Sequence, residues 1–268
     1  MRRGWWHILA TALYLFLYAP MVVVVVYSFN AAHDGFIWRG FSTAWYRTLF
    51  ADPAVSLAVR NTVALAVLST AVSTCLGTML AVGLTRYWFP GKRLVAWLIY
   101  VPVVIPDIVM AVALFLFYSM VSRWLGLLRL GLGTMTIAHI TFQIPFVTIV
   151  VRARLAGLDP ALEEAAHDLG ATPWQTFWRV TFPLALPGVL AGAMLAVTVS
   201  LDDFIISFFS AGAGNLTVPI LIYSQVKRGV TPEINALSAL IVAASIAGTI
   251  GVTCLQRARR AKDPEPQG

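Results

Sequence analysis

Apolar residues gather into six blocks, 8–28, 61–85, 94–121, 132–151, 187–209 and 234–255. Each is about as long as the 20 or so residues that cross a bilayer core. Only 12% of the residues are charged, against about 25% in a soluble domain. That is too little charge to coat a surface facing water. The longest gaps between blocks are 29–60 and 152–186, and neither has room for a soluble domain. No internal repeat is visible, and the only low-complexity stretch is the tail 261–268. The pattern predicts an all-α integral membrane protein with six transmembrane helices in one domain, 1–268.

The net charge of +7 does not require a nucleic-acid partner, because the Lys and Arg residues sit in short segments between apolar blocks. With the N-terminus inside, inside segments hold 12 of the 19 Lys and Arg residues and outside segments hold 7. Both termini are therefore expected in the cytoplasm. The run 8–28 follows Met1-Arg2-Arg3 but is long for a signal peptide and has no small-x-small site after it, so it reads as an uncleaved first span. Cys75 and Cys254 both lie in apolar blocks, so neither a disulfide nor a metal site is expected.

The segment 152–186 carries the densest local information. Asp159-Pro160 is a helix start. Leu158, Ala161, Leu162, Ala165, Ala166 and Leu169 then recur at helical spacing as one apolar face, with Glu163, Glu164, His167 and Asp168 on the other. Gly170 is placed to stop that helix, and Thr172 with Gln175 forms a capping box for a second one. Pro183 and Pro187 are expected to break the chain before the fifth span.

Glu164-Ala165-Ala166, three residues, Gly170, nine residues and Val180-Thr181-Phe182-Pro183 resemble the E-A-A-x3-G-x9-I-x-L-P loop of ABC importer permeases. Val180 and Phe182 stand where the pattern has Ile and Leu, and both remain apolar. The resemblance continues through 18–30, 40–46, 200–204 and 223–236, which are similar to the spermidine/putrescine permeases and to the second of their two permease subunits. It implies the type I ABC importer permease fold in a cell inner membrane. It also implies a second permease subunit forming a heterodimer, two cytoplasmic ATPase subunits and an external substrate-binding protein. ATP hydrolysis would then belong to a separate subunit, with no catalytic residue and no cofactor in this chain. Within the loop, Glu164, Ala165, Ala166, Gly170 and Pro183 would couple the permease to its ATPase. The small residues allow close approach and Glu164 offers a carboxylate to a basic groove. The alternative is a permease of the same class for thiamine, iron or a phosphonate.

Charges deep in a bilayer are costly and mark function. Counting about 1.5 Å per residue, Asp107 lies about 20 Å into the third span and Asp202 and Asp203 about 22–24 Å into the fifth. His139 falls at a similar depth, and Glu233 sits near the external mouth of the last span. Asp202, Asp203, Asp107 and Glu233 are the expected substrate path. Adjacent helical residues diverge by about 100°, so only one of Asp202 and Asp203 is expected to face it. Tyr100, Tyr118, Trp97 and Phe142 are candidate faces for a cation, and Arg60 and Asn61 read as interfacial anchors.

Enzymatic readings lack their motifs. Gly131-Leu132-Gly133 is followed by Thr134 rather than the Asp of an intramembrane protease, and Asp202-Asp203 is followed by Phe-Ile-Ile rather than a prenyl-transfer motif. Gly91-Lys92 lacks the first glycine and the Ser or Thr of a phosphate-binding loop.

Overall fold

The computed structural model describes residues 2–32, 37–229 and 231–262, except for the side chains of 2–4, 249, 251–253 and 255–262. Several cationic side chains counted for orientation (Arg2, Arg3, Arg257, Arg259, Arg260 and Lys262), and the tail beyond 262, lie outside that description. The described residues form thirteen α-helices and no strand. In chain order they are α1 (Arg2–Tyr27), α2 (Ala44–Ala51), α3 (Pro53–Arg86), α4 (Lys92–Leu98), α5 (Val101–Val104), α6 (Asp107–Leu125), α7 (Leu132–Ala156), α8 (Ala161–Asp168), α9 (Pro173–Thr176), α10 (Phe182–Asp202), α11 (Ile205–Ser210), α12 (Val218–Arg228) and α13 (Pro232–Lys262). Among the described residues, five helical stretches are long and apolar enough to cross a membrane: 5–27, α3, α6, α7 and 173–202. The sixth expected span lies in α13, of which Pro232–Gly248 is the apolar stretch among the described residues. The chain divides into two compact units, 1–56 with 222–268, and 57–221.

In the first unit, α13 packs against α1 and α2. The end of α1 is closed by a knot around Asn30. Its Nδ2 donates to Ile37 O at 2.7 Å, its Oδ1 accepts from Ala32 N and Arg39 N, and its main-chain oxygen accepts from Trp45 Nε1 at 2.8 Å. Ser28 Oγ and Tyr46 OH share a hydrogen bond of 2.7 Å, and the Phe29 ring stacks on Phe41. The two segments 18–30 and 40–46, separate in sequence, thus meet in one structure. Ser28 and Asn30 are both buried, and both have the partners that burial demands.

In the second unit, α7 packs along α10. Ala81, Val147, Val151, Leu155, Ala185, Val189 and Ala196 form the core of this layer. Glycine permits the close approach. A Cβ on Gly188 would stand 2.5 Å from Arg154 Cβ, and one on Gly77 would stand 2.8 Å from Val147 Cβ. Small residues at crossings let membrane helices gain dispersion energy where the hydrophobic effect offers little. A second cluster of Ala111, Tyr118, Ala138, Phe142 and Ile206 joins α6, α7 and α11. Tyr118 and Phe142 are therefore core residues, whereas Tyr100 and Trp97 are exposed.

Three expectations about continuity change. The third span, expected over 94–121 with its helix loosened by Pro102 and Pro106, is divided outright into α4, α5 and α6. The break comes at Pro106, and Ile105 before it is extended at ψ 133°. A residue before proline disfavours the helical region, and Pro106 also has no donor to continue the ladder. The fifth span, expected over 187–209, instead starts at Pro173 and ends at Asp202, with α11 as a separate piece. Pro183 and Pro187 do not break it. A π-helical turn at Phe177–Thr181, in which Phe182 N donates to Phe177 O, ends two residues before Pro183. The wider turn accommodates the ring and its missing donor. Pro187 is tolerated within the helix, as prolines in membrane helices often are.

Candidate functional site

The loop after α7 begins as expected. Asp159 Oδ1 accepts from Ala161 N at 3.0 Å and starts α8. At the other end Gly170 has φ +81°, Gly170 N donates to His167 O and Ala171 N donates to Ala166 O. This pair of reversed bonds is a Schellman cap, and its left-handed residue suits glycine. Thr172 Oγ1 accepts from Gln175 N while Thr172 N donates to Gln175 Oε1, so the capping box is present.

The orientation of α8 differs from the amphipathic expectation. Leu162 is half exposed, Leu169 is 89% exposed, and no residue of α8 is buried. Glu163 points inward instead. Its Oε1 lies 3.0 Å from Arg86 Nε and accepts a hydrogen bond from Thr181 Oγ1 at 2.8 Å. A carboxylate with two inward partners outweighs two leucines that find no core beside them. Glu164 and Ala165 are exposed and Ala166 is half-buried. Trp174 and Trp178 add further exposed apolar surface to this element. Pro183 stands at the start of α10, just past the π-helical turn.

The aspartates part company at the end of α10. Asp202 is its last residue, is exposed, and forms no hydrogen bond or ion pair with a described residue. Asp203 is the extended residue that follows. Its Oδ1 accepts from Ile206 N at 3.2 Å and its Oδ2 from Ser207 N at 2.7 Å, so it caps α11. The same Oδ2 lies 3.2 Å from His139 Nε2. Asp107 is the exposed first residue of α6, directly after Pro106. Glu233 lies in the other unit, half-buried in the first turn of α13.

His139 belongs to a buried polar network that sequence reading did not assemble. His139 Nδ1 meets Ser200 Oγ and its Nε2 meets Ser207 Oγ, both at 2.9 Å. Ser200 Oγ lies 3.4 Å from Ser69 Oγ, which accepts from Gln143 Nε2. Gln143 Oε1 accepts from Ser73 Oγ at 2.9 Å. The legible trace was His139 and Gln143, four residues apart on one face of an apolar span. Asn61 also differs from its expected place as an interfacial anchor. It is buried, and its Nδ2 donates to Leu216 O at 3.0 Å.

Residues 73–262 match the model of the binding-protein-dependent transport system inner membrane component family. The chain belongs to that family. It is 40% identical over 262 residues to the putrescine transport system permease protein PotI of Escherichia coli K12, covering 96% of this chain and 93% of that one. It is 38% identical over 247 residues to the spermidine/putrescine transport system permease protein PotC of the same organism, covering 92% of each. A bacterial ABC transporter that imports the acidic polysaccharide alginate has a chain of the same fold, with a TM-score of 0.75 at 22% identity, covering 97% of this chain and 96% of that one. This family member is thus a multi-pass membrane permease with the type I ABC importer permease fold.

Proposed function

We propose that this chain is one of two permease subunits of an ATP-driven polyamine importer, and that its Asp202 is the main carboxylate on the path. The observation that carries the substrate class is near-full-length similarity to two polyamine permeases, at 40% and 38% identity. The electrostatics agree. Asp202 ends α10, where unpaired carbonyls of the last turn add negative potential to the carboxylate. Half-helix C-terminal ends paired with side-chain oxygens are suited to cations inside membrane proteins. Asp107 sits at the opposite kind of end, the start of α6, where the helix dipole offsets its charge. Its contribution to cation passage is therefore smaller. Glu233 would serve near the external mouth.

The rest of the assembly follows from the same reading. Residues 1–268 act as a single permease domain in the inner membrane, with both termini in the cytoplasm. A second permease completes the path, an external protein delivers the solute, and two separate ATPase subunits hydrolyse ATP. The exposed face of α8 and the segment after it, with Glu164, Ala165, Ala166 and Gly170, are the grip for one ATPase. The Schellman cap and the capping box that shape the 152–186 loop support this reading.

The test is solute uptake by cells lacking this chain. Putrescine or spermidine uptake should fall to background and return when the chain is restored. Normal polyamine uptake alongside failed uptake of thiamine, iron or a phosphonate would move the chain to another substrate within the class.

A further inference from the structure

Glu163 stands one residue before the Glu-Ala-Ala pattern, and its single Oε1 draws together three elements. Arg86 is the last residue of the spanning helix α3. Thr181 is the last residue of the π-helical turn that leads into α10. Arg86 and Glu163 keep 19% and 23% side-chain exposure, and Thr181 is buried, so the cluster is only partly screened by water. The Arg86 Nε approach is off its N–H axis, which makes that contact mainly Coulombic, while the Thr181 hydroxyl donates a directed bond. No residue of α8 is buried, and these polar contacts tie it to the end of α3 and to the turn that leads into α10.

We propose that the Arg86–Glu163–Thr181 cluster is the linkage that carries movement of α8 into α3 and α10, with Glu163 as a positioning residue. The inference rests on the reading of α8 as the ATPase grip. Two neighbouring carboxylates then serve opposite sides, Glu164 the partner subunit and Glu163 the chain's own membrane helices. A push on α8 reaches both spans through one carboxylate. The π-helical turn beside Thr181 is a place where a helix changes register at low cost.

The experiment uses the whole transporter purified from its membrane and placed in proteoliposomes, measuring labelled putrescine moved per ATP hydrolysed. Glu163→Gln keeps the side chain's shape and an acceptor for Thr181 but removes the charge facing Arg86. It should keep the ATPase bound and hydrolysing while solute moved per ATP falls about tenfold, the scale of one lost charge-assisted contact. Thr181→Val should show a smaller loss of the same kind. The paired exchange Arg86→Glu with Glu163→Arg should recover part of the ratio lost in either single variant. Three results would each overturn the linkage: a normal ratio in Glu163→Gln, release of the ATPase by that variant, or no recovery in the exchanged pair. Gly170→Asp distinguishes the two levels. If it too transports normally with its ATPase bound, the grip itself is misplaced; if it fails while Glu163→Gln is normal, only the linkage is wrong.

Discussion

Asp203 spends both carboxylate oxygens on the start of α11 and one of them also on His139, while Asp202 has neither kind of partner among the described residues. The two should therefore fail differently. Asp203→Ala removes a helix cap, worth about 0.5–2 kcal/mol, and strips the buried His139 of an anionic neighbour. The expected outcome is a lower thermal midpoint in detergent and less protein in the membrane. Asp202→Asn should leave abundance unchanged and slow putrescine uptake five- to a hundredfold, corresponding to about 1–3 kcal/mol of lost stabilisation for the passing cation. Asp107→Asn should slow it less, since the α6 dipole already offsets that charge. Equal uptake in Asp202→Asn and wild type would leave Asp202 as an ordinary helix end. Residue spacing predicted divergence from a continuous helix, whereas the pair diverges because α10 ends at Asp202 and Asp203 is extended. Spacing could not show which carboxylate turned inward, because the choice depends on Ser207 and His139 arriving from other turns and another helix.

At the scale of elements, local chemistry was legible and partner choice was not. The α8 start at Asp159, the stop at Gly170 and the Thr172–Gln175 box are bonds between residues at most a few positions apart, so the amino-acid types disclose them. The face that α8 turns inward is not the one its periodicity suggests, because Arg86 and Thr181 reach Glu163 from distant stretches of the chain. Prolines act unequally. Pro106, expected to loosen its span, divides it, and Pro183 sits in a span expected to break, since a π-helical turn has already shifted the register. Gly170→Asp tests the element most directly. A side chain in the left-handed region costs about 1–2 kcal/mol and reshapes the cap. Transport should stop and ATPase binding should loosen while the subunit stays in the membrane, as read by co-purification and uptake. Normal values of both would make 152–186 a plain connector.

Across the whole molecule, the class of protein was set by six apolar blocks and a shortage of charge, and the family match agrees with that class. Of the interior polar network only the His139 and Gln143 pair left a trace in the sequence, because Ser69, Ser73 and Ser200 look unremarkable among apolar neighbours. Bonds like these between membrane helices contribute about 0.6 kcal/mol each, which fixes register more than it drives insertion. Orientation rests on the 12-to-7 distribution of Lys and Arg. A cysteine at position 268 should resist a membrane-impermeant thiol reagent in intact cells and react once they are opened. Labelling in intact cells would reverse the topology and place the 152–186 loop outside, away from any ATPase.

The most direct test of the central claim is transport by the purified complex in proteoliposomes that contain wild-type chain or Asp202→Asn. With ATP and the solute-binding protein on their proper sides, the wild-type complex should accumulate labelled putrescine or spermidine. The Asp202→Asn complex should bind its partners equally and accumulate the label at least about fivefold more slowly. ATP-dependent accumulation of an unrelated solute, with no polyamine movement by the wild-type complex, would contradict the account.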